Sequence, residues 1–123
     1  MEINVNGTLY PLKASIAFLN EIEKTKVRTI DGEKIEIGLA NAVISIRDMV
    51  DVRVLIDTIM ALNIRQTPRL NKDELTEWFE EGEVDLEKLG SEVIDFLSKA
   101  NVCRWKLKKL GILETAKADP EKA

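Results

Sequence analysis

The chain has 123 residues, a third of them charged, with a formal net charge of −4, no histidine and one cysteine. The length suits one domain able to bury its own core, and the negative balance excludes a general nucleic-acid binder held by counterion release. A lone cysteine excludes an intramolecular disulfide framework and fits a reducing compartment. No apolar run reaches the roughly 18 residues of a membrane span, and the opening MEINVNG is not a secretory leader. We therefore expect a soluble intracellular protein.

MEINVNGTLYPL reads as a β-hairpin. Asn6-Gly7 is the pair that most readily adopts the positive φ angles of a type I′ turn. A two-residue loop there sets Val5 opposite Thr8 and Ile3 opposite Tyr10. Because side chains alternate, Ile3, Val5, Tyr10 and Leu12 share an apolar face, with Glu2 and Asn4 on the other. A lone hairpin is marginal in water, so this one must lean on helices, on another strand or on another copy of the chain.

Ser15 is placed to cap a helix over SIAFLNEIEKT, with Ile16, Leu19 and Ile22 at helical spacing and Phe18 beside them. KVRTIDGEKIEI follows. Asp31-Gly32 allows a second hairpin, but the flanks do not alternate cleanly, and a polar connection between helices serves as well. GLANAVISIRDMV offers Leu39, Val43 and Ile46. Asp51 can cap VRVLIDTIMALNI, whose stripe of Val52, Leu55, Ile56, Ile59 and Leu62 is expected at the centre of the core, with Thr67-Pro68 ending it.

LNKDELTEWFEEG carries a capping box at Asn71 and Glu74, a staple between Leu70 and Leu75, and Gly82 at the C′ position. VDLEKLGSEVIDFLSKA repeats the staple, with Asp85 as cap and Val84 facing Leu89. From there Leu86, Leu89, Val93, Phe96, Ala100, Cys103, Leu107 and Leu110 alternate spacings of three and four. That heptad register predicts one long amphipathic helix up to Gly111. It packs on the domain's own core or offers a seam to a second chain. Residues 114–123 read as a flexible polar tail after a single domain over 1–113.

Charge is uneven along this half. Residues 71–98 hold ten acidic and two basic side chains, and residues 99–113 hold five basic and none acidic. The basic stretch, residues 104–110, is the candidate docking surface. Trp105 is the anchor, Leu107 and Leu110 the apolar contacts, and Arg104, Lys106, Lys108 and Lys109 the charged rim. The same residues could touch nucleic acid, although the acidic helices beside them weaken a phosphate field. Both readings stay open.

Catalytic chemistry is not expected. Histidine, the commonest general base and metal ligand, is missing, and Cys103 lies on an apolar stripe without a partner to make a thiolate. There is no glycine-rich phosphate loop. Glu80, Glu81 and Glu83 read as a solvated helix end, and Asp31 and Glu33 lack calcium-loop spacing. No enzyme activity, metal or cofactor is anticipated. The fold class is α+β, mostly α: the hairpin packed on a bundle of about five or six helices.

The order of these elements resembles a known family over roughly residues 1–100. INVNGTLYPLK opens the chain, SIAFLNEIEK follows at once, and then come a hydrophobic helix, a DELTEWFEE helix after a proline, and an acidic-to-basic last helix. The pattern is similar to the tail assembly chaperones of long-tailed, siphovirus-type phages and prophages of Gram-positive bacteria. The resemblance implies a helical protein that binds the tape measure protein in the host cytoplasm and is displaced by major tail tube subunits, staying out of the finished virion. It also implies weak self-association in rings or spirals. In that setting the hairpin would seat on its own first helix and leave the edge formed by Glu2, Ile3, Asn4 and Val5 free to pair. A minor structural tail component is the structural alternative.

Overall fold

In the computed structural model, which describes residues 1–109 and 111, Asn6 and Gly7 adopt φ angles of 54° and 91°. They turn β1 (Glu2–Val5) back on β2 (Thr8–Pro11) with Ile3 opposite Tyr10 and Val5 opposite Thr8. Asn4 helps by accepting the Gly7 N–H on Oδ1 at 2.9 Å. Ile3, Val5, Tyr10 and Leu12 are all buried, as the alternation requires. Hydrogen bonds fasten the hairpin to the end of α3 (Val52–Leu62): the Lys13 N–H donates to Leu62 O at 2.8 Å and Asn63 Nδ2 to Pro11 O at 3.0 Å.

Asn63 is itself fully buried. Its Oδ1 accepts the Leu70 N–H (2.6 Å) and Arg69 Nη1 (3.1 Å), and Nδ2 also reaches Pro68 O at 3.2 Å. One side chain thus ties the first hairpin to the 64–70 loop that leads into α4 (Lys72–Glu81). The polar cost of its burial is met by these bonds. α3 ends here, at Leu62, before the Thr67-Pro68 pair that was expected to end it.

Ser15 caps α1 (Ile16–Glu23) through the Phe18 N–H at 3.0 Å. Phe18 and Ile22 face inward, one turn apart, and Ile16, expected on the stripe, is exposed. The ambiguous segment is a hairpin after all. Asp31 and Gly32 (φ 53° and 83°) turn β3 (Val27–Ile30) onto β4 (Glu33–Glu36). Every residue of both strands is exposed. Ile37 N–H donates to Lys26 O at 2.8 Å and closes the base.

α2 (Gly38–Met49) packs on α1, α3 and α5 (Leu86–Lys99). Its start presses so closely on α1 that a Cβ at Gly38 would collide with the Ile22 carbonyl. Leu39, Val43 and Ile46 are buried, and Asp51 caps α3 by accepting the Arg53 and Val54 N–H groups. Of the stripe on α3, Leu55, Ile59 and Leu62 are buried, while Val52 stays exposed. On α4, Asn71 caps and the Leu70–Leu75 staple is buried as expected. Gly82 is extended rather than left-handed; glycine is needed there because a Cβ would lie 2.6 Å from Trp78 Cδ1.

The long last helix is a correction. The chain breaks at Ala100 (φ −73°, ψ 133°) between α5 and α6 (Asn101–Lys109). The reason lies in the buried row. Inside α5 it runs Leu89, Val93, Leu97, at a constant spacing of four, not through Phe96 and Ala100. Continued straight, that row would place Asn101 and Trp105, flanked by Arg104 and Lys108, over the core. The break turns the chain so that Cys103 and Leu107, also four apart, are buried instead. The expected architecture otherwise holds: α+β, mostly α, with six helices among the described residues and a second hairpin added to the first.

Candidate functional site

α6 is bolted down on one side and open on the other. Inward, Cys103 and Leu107 are fully buried, and the Lys106 ammonium donates to Glu23 Oε2 at the end of α1. The same carboxylate accepts the Leu39 N–H on Oε1 at 2.9 Å. Glu23 therefore supplies the cap that Ile37, at the N-cap position of α2, has no side chain to give. Lys106 also reaches Glu36 O at 3.5 Å, at the foot of the second hairpin. Burial, and after it the nearby Glu23 carboxylate, push the Cys103 thiol up to about 11. It is a packing residue, far from thiolate chemistry.

Outward, Trp105 is 76% exposed, with Arg104, Lys108 and Lys109 exposed around it. These four form the surface that the sequence placed at the chain's basic end. Two of its other members lie elsewhere: Leu107 is core, not docking surface, and Lys106 points inward to Glu23. The cause is the turn at Ala100, which rotates the whole segment. Leu110 and the 114–123 tail lie outside the described residues. On the first hairpin, Glu2 and Asn4 are exposed while Ile3 and Val5 are buried, so of the edge expected over these four residues only the alternate positions reach the surface. That edge pairs with no strand other than β2 among the described residues.

Two further surfaces escaped the sequence reading. The second hairpin projects Ile30 and Ile35 on one face and Val27 on the other, each at least 40% exposed. The only signal for it was Asp31-Gly32. A cleft of about 840 Å³ also runs between the α2–α3 corner and α5. Val50, Val52 and Leu55 line one wall, and Leu86 and Ile94 the other. Three carboxylates, Asp51, Glu87 and Asp95, share the lining with one guanidinium, Arg47, which is hydrogen-bonded to both Asp48 oxygens at 2.8 Å. That pairing raises Arg47 and lowers Asp48 from their ordinary pKa values. Nothing local in the sequence marks this cleft, because its walls are about 40 residues apart.

These are features for holding proteins: an exposed aromatic in a basic ring, an apolar cleft and open strand edges. The model of the family described as phage tail assembly chaperone protein, TAC, matches residues 2–111. The chain belongs to this family. Searches of curated proteins and of solved structures gave no match. The match spans every described element, so both hairpins and α6 belong to the tail assembly chaperone domain. Membership points to protein partners in tail assembly. Among the described residues of this tail assembly chaperone, no helix is long and apolar enough to cross a membrane.

Proposed function

We propose that this tail assembly chaperone binds the tape measure protein in the cytoplasm of the host bacterium, recruits major tail tube subunits to it, and leaves as the tube forms. The observation that carries the reading is the family match over residues 2–111. The reading is non-enzymatic and uses no metal or cofactor. Several copies would coat one client, with the exposed face of α6 (Arg104, Trp105, Lys108, Lys109) and the β1 edge as contact surfaces. Co-expression with a tagged tape measure protein tests it. The chaperone should co-purify with the tape measure and be absent from purified virions. Failure to co-purify would overturn the client, and stoichiometric presence in virions would favour a permanent tail component. Binding of the α6 face to DNA, lost on raising salt, would favour the nucleic-acid alternative instead.

A further inference from the structure

We propose that the exposed face of α6 on one copy docks in the α2–α3/α5 cleft of a second copy, so that the chain associates head to tail. Charge complementarity identifies the occupant. The cleft is apolar with a net acidic lining, three carboxylates against an Arg47 already engaged with Asp48. Of these, Asp51 caps α3 and lies 3.7 Å from Arg53, and Asp95 meets Lys99 at 3.2 Å. Glu87 is thus the lining carboxylate that has no ion pair among the described residues, and the one a docked cation would meet. The face that fits is apolar with a basic ring, and α6 carries one: Trp105 among Arg104, Lys108 and Lys109. Trp and Arg are the residue types that most often dominate interface energies.

A second observation concerns Val50, at the lip of the cleft. It sits in left-handed backbone (φ 51°, ψ 44°) where helices commonly end on glycine, and β-branched residues are strained there. Its side chain is 77% exposed. The fold bears the strain and gains no burial from this side chain; a docked partner would cover it. Donor face and cleft are different patches, so the contact is heterologous and each copy keeps one of each free to extend a chain.

The proposal rests on the reading above only in that a coating chaperone acts in several copies, and it is tested on the purified full-length chain without client. Sedimentation velocity of the wild type should show concentration-dependent association that weakens as salt rises. Trp105→Ala and Val52→Lys, both at exposed positions, should each keep the wild-type melting curve and weaken association about tenfold or more. Mixed in equal amounts, the two variants should form a dimer, because one retains an intact cleft and the other an intact α6 face. Val50→Gly should melt no lower than the wild type and still associate less, which covers the case of Val52→Lys failing to fold. A wild type that stays monomeric, or a mixture that stays monomeric while each variant is folded, would overturn the proposal. So would a Val52→Lys chain that associates normally yet loses the tape measure protein, since the cleft would then belong to the client.

Discussion

The two hairpins use the same turn and have opposite fates. Asn6-Gly7 and Asp31-Gly32 both place an Asx residue and a glycine at positive φ, and each closes a pair of four-residue strands. The first alternates Ile3 and Val5 with Glu2 and Asn4, so one face is apolar and goes into the core. In the second, Ile30 and Ile35 share their face with Arg28 and Glu33, and Val27 shares the other with Thr29, Lys34 and Glu36. Neither face can be buried without taking charges with it. Turn chemistry makes a hairpin; the pattern of its strands decides whether the fold keeps it.

The largest effect that could break this contrast is a charge placed at matched positions. Val5→Asp forces a carboxylate into a fully buried site and should cost roughly 3–5 kcal/mol, enough to unfold much of the population at moderate denaturant. Ile35→Asp should stay within about 0.5 kcal/mol in the same urea titration. Similar losses in both would mean the second hairpin is part of the core.

The root of the second hairpin can be probed through α6, whose Lys106 reaches Glu36 and whose Cys103 is buried. The folded thiol titrates at about 11, above its unfolded value near 9, so the folded state keeps its proton longer. Stability from this group is fully present below pH 9 and is lost as pH rises toward 11, by roughly 2–3 kcal/mol at most. Cys103→Ala should flatten that alkaline limb in thermal melts, and alkylation of the wild type near pH 8 should proceed only through unfolded molecules.

Smaller still is the turn itself. Gly7→Ala and Gly32→Ala both put a Cβ on positive φ with open space around it. Each strains its turn by about 1 kcal/mol. At Gly7 the cost should appear in global stability; at Gly32 it should only loosen the hairpin locally, leaving the melting temperature unchanged.

Local signals in the chain proved readable wherever capping and alternation agree. The caps Ser15, Asp51, Asn71 and Asp85, the Leu70–Leu75 staple and the inward face of the first hairpin were all legible. The heptad misled because it recorded spacing without direction: Leu97, not Phe96, continues the buried row. That row carried straight on would set Asn101 and Trp105 over the core, so the chain turns at Ala100. At the candidate site Trp105 and its basic neighbours could be found from composition. Leu107 was grouped with Trp105 on the docking surface because Gly90, Ala100 and Cys103 make a thin seam, although the heptad set it on one stripe with Cys103, and both are buried. Glu23 and Asn63 could not be found, because the Leu39 amide, the Lys106 ammonium and the Pro11 carbonyl they serve come from distant parts of the chain.

Native-state hydrogen exchange puts the division between the hairpins to its most direct test. The amides of β1 and β2 that bond across the strands should exchange with nearly the free energy of global unfolding, since that hairpin opens only when the core does. Those of β3 and β4 should exchange through local opening, orders of magnitude faster and with little dependence on denaturant. Equal, global protection in both hairpins would contradict the account, because it would make the second as much a part of the core as the first.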